Sequence, residues 1–546
     1  MTPATAIYYH PEAYTMAGPK IMGRQAAGTS FLRGYAANSL APEFWAVVDR
    51  PEYAQQFAQT VTLPNRNRPV RVVPMENLGR VAQCGTLFVP GPNIGGHAWH
   101  RAAFGAAAWS ICGITHTTAS AGAMDGIAEW LTAPVEPWDA VICISTAVRD
   151  MVRIVLEAQT EYLRQRLGAT RQRLPHLPII PLGINVDEFA FGEADRAKGR
   201  HALGVGTDTI VVLFLGRLSF HAKAHPLAMY QALERASRGR EVVLVECGWH
   251  ANEPLAKAYT EAAKQACPSV RVVTLDGRNA DARTAAWAGA DVFCSLSDNI
   301  QETFGIAPIE AMAAGLPVVV SDWDGYKESV RDGIDGFRVP TLAPPPASGA
   351  PLALRHALGA DSYDTYLGLA SMLTAVDVDA TAVAFKKLFD SPELRREMGR
   401  AGQDRARALY DWSALIPAYE SLWQSLGEER RRGGAAAEPP PAHPWPARID
   451  PFTLFAGYPT RTVGPQTVFW LARQDATQIL AQWRSLAMVS FARAVLPSDD
   501  DCQRIIETLK QGPRTAVQLI ESVPAERRAF VLRALAWMVK MGALGV

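Results

Sequence analysis

Two glutamates flank the expected start of a helix in the second half of the chain. Glu302 and Glu310 lie on either side of Phe304-Gly305, between an apolar strand pattern at 291–296 and another at 317–321. A helix that begins at Phe304-Gly305 offers free backbone N–H groups and the positive end of its dipole to a phosphate, and Gly305 has no Cβ to hold an anion away. Carboxylates beside such an anion site can accept hydrogen bonds from sugar hydroxyls. The spacing therefore predicts a nucleotide-sugar site.

Two cations follow a buried strand in the same half of the chain. The strand pattern at 210–215 ends in Gly216-Arg217, and Lys223 follows shortly after. Cations at the mouth of a strand neutralise a diphosphate and stabilise the charge that develops as it leaves, with Arg as a bidentate partner and Lys as a point charge. Two solvated surface cations are the alternative, but the position in the chain favours a binding role.

Two successive series of strands and helices must position these side chains. Short apolar strands alternate with helical patterns over residues 1–190, and the alternation restarts over 191–427, where the strands are almost continuously apolar. Such strands are typical of parallel sheets covered by helices on both faces. The sequence therefore predicts an α/β chain with two Rossmann-like, doubly wound domains, and a ligand cleft at the carboxyl ends of their strands.

The last part of the chain has a different composition. Residues 428–465 are charged and then rich in Gly, Ala and Pro, which predicts a linker, and residues 466–546 carry three apolar helical faces. Three short helices resemble a winged-helix-like fold. From Gln466 onward the chain has ten Lys/Arg and seven Asp/Glu, and this positive excess is too small to favour DNA binding. We therefore expect a mainly α accessory domain that forms a homo-oligomer or docks a protein partner.

The bulk composition narrows the class of protein. The 546 residues are too many for one core, and the formal net charge of zero argues against a dedicated nucleic-acid-binding protein. No apolar run approaches the roughly 20 residues that span a bilayer, and no secretory signal is visible at the N-terminus. The seven cysteines are scattered without a CxxC pair. We expect a cytoplasmic protein without disulfides or structural zinc, and leave peripheral contact with a membrane open.

The chain resembles family 4 of the retaining glycosyltransferases, which have the GT-B fold. In the second half the matching residues are Gly216-Arg217 with Lys223, the Glu302-x7-Glu310 motif around Phe304-Gly305, Gly315-Leu316-Pro317-Val318-Val319, Gly325 with Glu328, and Asp332-Gly333 with Gly336-Phe337. Looser matches in the first half are Thr115-His116, Asp139 with Ser145, and Pro181-Leu182-Gly183-Ile184-Asn185 with Phe189. The resemblance covers about residues 1–425.

The resemblance implies roles for the acidic motif. Glu302 would bind hydroxyls of the donor sugar, and Glu310 would bind the ribose hydroxyls. Phe304, Gly305 and Ile306 would present backbone groups to the sugar and the phosphates. The alternative for Glu310 is a helix carboxylate exposed to water, and for Glu302 a favourable charge near a helix N-terminus.

The resemblance also implies roles for three basic residues. Arg217 and Lys223 would hold the diphosphate, and His116 would lie near the reacting sugar on the acceptor side. A lone His after a strand is commonly a structural hydrogen-bonding residue, and the neighbouring threonines offer it partners. The spacing from Arg217 to Lys223 is one residue longer than is usual in the family. His221 or His225 is therefore an alternative residue to share the role of Lys223 in holding the diphosphate.

The glycine-rich start of the family pattern is altered here. The family has a Gly-Gly pair after its first strand, whereas this chain has Gly28 within Met22-Gly23-Arg24-Gln25-Ala26-Ala27-Gly28-Thr29. We expect Gly28 to approach a phosphate, with a simple turn at a helix start as the alternative. Asp322-Trp323-Asp324 matches a metal-binding signature of another glycosyltransferase fold, but it follows a strand and precedes Gly325. We interpret it as a turn and predict no catalytic metal.

The resemblance implies a reaction. A hexose would pass from a UDP- or GDP-sugar, used as a co-substrate without a further cofactor, to an acceptor hydroxyl with the anomeric configuration retained. The acceptor would attack from the front face, and the leaving phosphate would assist its deprotonation. The alternatives are another GT-B activity, such as a sugar phosphorylase, and a non-catalytic regulatory protein that binds sugar nucleotides.

Overall fold

The computed structural model describes residues 4–15, 23–62, 68–434, 445–521 and 523–546. The chain forms two compact units, Met1–Trp445 and Pro446–Val546. All seven cysteines lie in the described ranges, where they are buried and carry free thiols. In those same ranges no helix combines the length and the apolar character needed to cross a membrane.

The first half of the first unit is built on a parallel sheet. Its strands are β1 (Ala6–Tyr8), β2 (Phe44–Val48), β3 (Val70–Pro74), β4 (Thr86–Phe88), β5 (Ser110–Ile114) and β6 (Ala140–Ile142). Its helices are α1 (Pro11–Tyr14), α2 (Gly23–Asn38), α3 (Pro51–Val61), α4 (Gly95–Ala102), α5 (Ala121–Ala128) and α6 (Thr146–Leu167), with 3₁₀ helices at Met75–Gln83 and Glu129–Leu131. The strand order is β3-β2-β1-β4-β5-β6, with all pairs parallel. β2 and β5 are buried throughout, because helices cover both faces of the sheet.

A second parallel sheet follows. Its strands are β7 (Ile210–Leu215), β8 (Val242–Gly248), β9 (Arg271–Asp276), β10 (Val292–Ser295), β11 (Val318–Ser321) and β12 (Gly336–Val339). A 3₁₀ helix at Val186–Phe189 precedes α7 (Glu193–Leu203), and α8 (Leu227–Ala236), α9 (Glu253–Ala266), α10 (Ala280–Gly289), α11 (Ile306–Ala313) and α12 (Tyr326–Ser329) follow. The order β12-β11-β10-β7-β8-β9 repeats the topology of the first sheet. Both halves are therefore doubly wound.

An inserted segment extends from the end of the second sheet. Two short strands, β13 (Thr341–Leu342) and β14 (Ala375–Val376), pair antiparallel, with Thr341 opposite Val376. Two helices lie between them, α13 (Ala350–Ala357) and α14 (Tyr363–Ser371). We call residues 341–376 the insertion. Because its two ends pair with each other, the insertion leaves the second domain and rejoins it at the same place.

The chain then returns to the first domain. After α15 (Val378–Asp390) and α16 (Pro392–Leu409), the long helix α17 (Trp412–Gly434) packs on α2 and on the first sheet. The Trp412 indole donates to Ser30 Oγ at 2.8 Å, and Ser39 Oγ donates to the Glu420 carboxylate at 2.6 Å. Since α17 continues to Gly434, residues 428–434 of the expected linker are helical and belong to the first unit.

The second unit is small and mainly helical. It contains α18 (Pro451–Leu454), β15 (Val468–Leu471), α19 (Ala476–Arg484), α20 (Ala487–Ser490), a 3₁₀ helix at Arg493–Val495, α21 (Asp499–Lys510), β16 (Arg514–Thr515), α22 (Ala516–Ile520), α23 (Ala525–Lys540) and β17 (Leu544–Gly545). The three strands form an antiparallel sheet in the order β16-β15-β17. Its own core includes Phe469, Ile506, Leu535 and Met538. The predicted fold class, two Rossmann-like domains followed by a helical C-terminal region, is confirmed.

Candidate functional site

A cavity of about 910 Å³ lies between the two sheets of the first unit, at the carboxyl ends of their strands. Ile144 follows β6 of the first domain, while Gly216 and Trp249 follow β7 and β8 of the second, and all three line it. Eight of the nine site residues expected from the sequence also line this cavity: His116, Arg217, Lys223, Glu302, Phe304, Gly305, Ile306 and Glu310. The structure thus brings into one hollow residues that lie almost 200 positions apart in the chain.

The ninth residue, Gly28, is placed differently. It lies on the side of α2 that packs against α1, where a Cβ would stand 1.9 Å from the carbonyl oxygen of Ala13. Its neighbours Ala27 and Thr29 line the cavity, and Gly28 does not. The expectation that Gly28 approaches a phosphate is therefore corrected. Its missing side chain serves the close packing of two helices.

The start of α11 is shaped by Gly305. This residue caps the helix with φ at 82°, a left-handed conformation that glycine adopts without strain. A Cβ at this position would also lie 1.9 Å from Cε1 of Tyr326, whose hydroxyl is 2.9 Å from Ser295 Oγ. Backbone conformation and packing therefore both require a glycine here. Ile306 and Ala307 begin the helix at the cavity wall, and their N–H groups have no carbonyl of an earlier helical turn to bind.

Glu302 is an ionised carboxylate held from several sides. It forms an ion pair with Lys223, and the two side chains are 10% and 24% exposed, respectively. Burial alone would raise the pKa of Glu302, but the charge and hydrogen bond of Lys223, with the backbone N–H groups of Thr303 and Phe304, outweigh it and lower the pKa. The carboxylate of Glu302 therefore stays ionised at the cavity wall, where the ion pair with Lys223 holds it in place.

Arg217 is oriented by two acceptors. Its Nη2 donates to Gln301 Oε1 at 2.7 Å and to the carbonyl oxygen of Ala222 at 3.0 Å. The strand ends behind it are tightly packed, because a Cβ at Gly248 would lie 1.9 Å from the Gly216 carbonyl oxygen. Two cations and the start of a helix thus border the same cavity, an arrangement suited to a diphosphate.

Glu310 projects from α11 into a different environment. Burial raises the pKa of its carboxyl to about 7, although the nearby Arg283 opposes the shift. The negative charge of Glu188 adds to the rise. Near neutral pH this carboxyl is therefore divided between its protonated and ionised forms. It differs in this respect from Glu302, although both lie in one sequence motif.

His116 follows β5 in the first domain and lines the cavity. The preceding Thr115 donates its hydroxyl to the Ile142 carbonyl oxygen at 3.2 Å, and the Thr117 hydroxyl lies 3.2 Å from the Tyr363 hydroxyl. The hydroxyls of these two threonines, which are next to His116 in the sequence, thus each have a partner outside the 115–118 segment. His116 takes part in an interaction of its own within the fold.

The Asp322-Trp323-Asp324 segment forms a turn after β11. Asp324 adopts φ of 47°, and the Ser145 hydroxyl of the first domain donates to its Oδ1 at 3.4 Å. Ser145 also donates to the Thr303 carbonyl oxygen at 2.9 Å. Burial raises the pKa of Asp324 well above its usual range. In the described residues no group of three or more His, Cys, Asp or Glu side chains could hold a metal ion, and the absence of a catalytic metal stays a prediction.

Several cavity residues were not identified from the sequence. Arg283 and Trp287 come from α10, Trp249 and Arg278 follow strands β8 and β9, and Tyr363 comes from the insertion. The positions after the two strands carried a usable signal, since ligands bind at the carboxyl ends of parallel strands. Tyr363 carried none, because nothing local indicates that the insertion reaches the cleft.

Part of the chain is similar in sequence to known glycosyl transferases. Residues 195–344 match the model of the family described as "Glycosyl transferases group 1". The chain is 32% identical over 208 residues to a phosphatidyl-myo-inositol mannosyltransferase of Mycobacterium leprae (strain TN), covering 38% of this chain and 48% of the relative. It is 29% identical over 241 residues to a D-inositol 3-phosphate glycosyltransferase of Geodermatophilus obscurus, covering 42% and 51%. The chain thus spans about half the length of these relatives.

A solved structure supports the same fold. The crystal structure of a glycosyltransferase from Rickettsia africae ESF-5 matches with a TM-score of 0.51 at 11% identity, over 78% of this chain and 99% of the other. Two doubly wound domains around one cleft are the GT-B fold. Residues 195–344, which lie mostly in the second of these domains, are similar to the group 1 glycosyl transferases.

Proposed function

We propose that the chain is a retaining glycosyltransferase of family 4, which moves a hexose from a UDP- or GDP-sugar to an acceptor hydroxyl without a metal ion. The observation that carries this proposal is the set of complementary charges around one cavity. Arg217, Lys223 and the start of α11 suit a diphosphate, while Glu302 and Glu310 suit sugar and ribose hydroxyls. The match of residues 195–344 to the group 1 glycosyl transferases supports the same activity.

The reaction follows from where charge develops. The bond between the anomeric carbon and the β-phosphate oxygen breaks, and a bond from the acceptor oxygen to that carbon forms on the same face. The acceptor proton passes to the departing phosphate oxygen. Arg217, Lys223 and the amides of α11 stabilise the negative charge that grows on the diphosphate. These groups supply the stabilisation that a metal ion supplies in other transferases.

Donor binding rearranges an existing ion pair. Lys223 pairs with Glu302 in the structure described here. We propose that the diphosphate takes over much of the interaction with Lys223, and that hydroxyls of the donor sugar bind Glu302. Because the carboxylate is already ionised and oriented, little reorganisation remains for the moment of reaction.

The names of the relatives suggest the first acceptors to assay. One is named for mannosyl transfer to phosphatidyl-myo-inositol and the other for glycosyl transfer to D-inositol 3-phosphate. We propose a polyol or a lipid-linked polyol as the acceptor class. The donor is best found by thermal denaturation of the full chain with a panel of UDP- and GDP-hexoses, because a ligand that binds only the folded state raises its Tm.

The decisive experiment compares turnover of Lys223→Met with a matched surface variant. We expect initial rates of donor hydrolysis and transfer to fall about 10²–10³-fold, the usual effect of removing one group that stabilises developing charge. The control is Lys257→Met, because Lys257 is 75% exposed on α9 and pairs with Glu261 on its own helix. Full turnover in Lys223→Met would refute the mechanism, and turnover that chelator abolishes would refute metal independence.

The same assay separates the alternatives. A wild-type chain that binds a nucleotide sugar but neither hydrolyses nor transfers it would favour the regulatory binding protein. Activity that requires inorganic phosphate and releases a sugar phosphate would favour a phosphorylase. Retention is checked by NMR of the anomeric proton in the product.

A further inference from the structure

The insertion bridges the two sides of the cleft. Leu367 of α14 is fully buried in a small apolar cluster with Ala119 of the first domain and Ala222 of the second. α14 also approaches the loop after β7 closely, since a Cβ at Gly368 would lie 2.9 Å from Cβ of His221. The middle of α14 is therefore packed against both domains, and Tyr363 at its start lines the cavity.

Tyr363, the first residue of α14, joins the two domains by hydrogen bonds. Its hydroxyl lies 3.2 Å from Thr117 Oγ1 and accepts a bond from Gln301 Nε2 at 3.2 Å. Thr117 is adjacent to His116 in the first domain, and Gln301 is adjacent to Glu302 in the second. One phenol thus contacts the immediate neighbours of two candidate site residues on opposite sides of the cleft.

Arg217 determines the direction of the first two bonds in this series, from Arg217 to Gln301 and from Gln301 to Tyr363. A guanidinium can only donate, so the carbonyl oxygen of the Gln301 amide must face Arg217, to which it is bonded at 2.7 Å. The amide NH₂ is then left to donate to Tyr363, and either hydroxyl can donate in the bond between Tyr363 and Thr117. The Gln301 backbone N–H donates to Asn299 Oδ1 at 2.9 Å, which holds the residue in place. The result is a polarised series, Arg217–Gln301–Tyr363–Thr117.

We propose that Tyr363 is a positioning residue that couples closure of the cleft to the alignment of Arg217. It acts on Arg217 through Gln301, and on the loop that carries His116 through Thr117. This inference rests on the proposed function, because it takes Arg217 as a ligand of the diphosphate. When the two domains separate, the bond between Tyr363 and Thr117 breaks. The Tyr363 hydroxyl that orients the Gln301 amide then keeps one hydrogen-bond partner instead of two, and it holds the amide less firmly.

The coupling has a definite kinetic consequence. If the series aligns Arg217 only in the closed cleft, its loss affects the transition state more than the binding of the donor. A small displacement of a positioning group lowers turnover strongly, by up to about 10²-fold for 1 Å. We therefore expect loss of the phenol hydroxyl to lower kcat about tenfold, while KM for the donor changes by less than about twofold.

The test is a double-mutant cycle on the full chain. Tyr363→Phe keeps the ring and removes the hydroxyl, and Thr117→Val removes the partner from the other domain. Because both changes remove the same bond, the double variant should have a kcat close to that of the slower single variant. The matched control is Tyr366→Phe on the same helix, whose ring stacks on His356 at 4.4 Å between centroids, and its kcat should equal that of the wild type.

Two results would overturn the inference. One is wild-type kcat in Tyr363→Phe, and the other is a double variant whose loss is the product of the two single losses. A purely structural role would lower Tm without this non-additivity in kcat, so Tm is measured on every variant. Should Tyr363→Phe fail to fold, Thr117→Val reports on the same bond from the first domain, and an unchanged kcat there would also overturn it.

A binding measurement separates this inference from the proposed function. Free UDP and GDP are titrated calorimetrically into wild type, Gln301→Leu and Tyr366→Phe. Wild type that binds a nucleoside diphosphate but transfers no sugar would contradict only the proposed function. Because the series acts on the transition state, we expect Gln301→Leu to bind a nucleoside diphosphate within about twofold of wild type while its kcat falls about tenfold, and an unchanged kcat would overturn the inference alone. Wild type that binds neither nucleotide would overturn both.

Discussion

The two domains share one topology, but the helix after the fourth strand has a different role in each domain. β4 and β10 are the fourth strands of their sheets, and each is followed by an eight-residue helix, α4 or α11. The α11 segment directs Glu302 and Glu310 to the cavity, whereas α4 directs Arg101 into the core of its own domain. Equal topology therefore does not make the two helix positions equivalent in function.

The difference is clearest in the two ion pairs. Arg101 and Asp139 are fully buried and 2.5 Å apart, and Arg101 also donates to the carbonyl oxygens of Trp109 and Pro134 at 3.0 Å. Lys223 and Glu302 are partly exposed and line the cavity. A buried pair with every partner inside the fold holds the structure, while a pair at a cavity wall can exchange partners with a ligand. The comparison leads to four predictions.

The largest effect is expected from Arg101→Met. The change leaves the buried carboxylate of Asp139 without its cation, so we expect the free energy of unfolding of the first unit to fall by about 3–5 kcal/mol. Urea denaturation followed by tryptophan fluorescence measures it. Arg71→Met is the control, because Arg71 is 54% exposed in its pair with Glu43 and should change stability by less than about 1 kcal/mol. A similar loss in both variants would contradict the structural role of the buried pair.

A smaller effect is expected from Gly305→Ala. The positive φ and the contact with Tyr326 together should lower the free energy of unfolding by about 2–4 kcal/mol and weaken binding of a nucleoside diphosphate. Gly333→Ala is matched to it, since Gly333 has φ of 74° but open space around its Cβ position. It should lose only about 1–2 kcal/mol and leave binding unchanged. Equal losses would show that the Tyr326 contact is readily relieved.

A third prediction concerns pH and Glu310. Its raised pKa, about 7, means that the carboxyl is mostly protonated at pH 6 and mostly ionised at pH 8. If the ribose hydroxyls require the ionised form, the Kd for the donor should be about tenfold higher at pH 6 than at pH 8, because the pKa of Glu310 lies between these two pH values. Glu310→Gln should have a flat profile over this range by titration calorimetry. A wild-type profile that is flat, or that persists in the Gln variant, would remove Glu310 from donor binding.

The smallest effect is expected from removing the second unit. A chain that ends at Trp445 keeps α17 whole and should bind the donor within about twofold of wild type. A chain that ends at Gly427 loses the contacts of Glu429 with His176 and of Arg430 with the Ala107 carbonyl oxygen, and its Tm should be lower. Weakened binding in a folded chain that ends at Trp445 would assign the second unit a part in the site.

Much of the site was predictable because its residues lie close together in the chain. Glu302, Gly305 and Glu310 belong to one strand–loop–helix segment, so their spacing alone places them around a helix start. The apolar strands likewise predicted both sheets, since continuous burial on two faces requires apolar residues on both sides of a strand. Gly28 was misjudged because a glycine needed for helix packing and one needed by a ligand look the same in sequence.

The amino-acid sequence by itself determined the two doubly wound domains and the charged groups at the strand ends, because short-range spacing and strand hydrophobicity carry that information. Only the tertiary structure decided that the pKa of Glu310 is raised while that of Glu302 is lowered, and that Tyr363 joins Thr117 to Gln301 and Arg217. The physical reason is that burial and hydrogen bonding depend on neighbours brought together from distant parts of the chain. Tyr363 is 246 positions from Thr117, and no local pattern records such a contact.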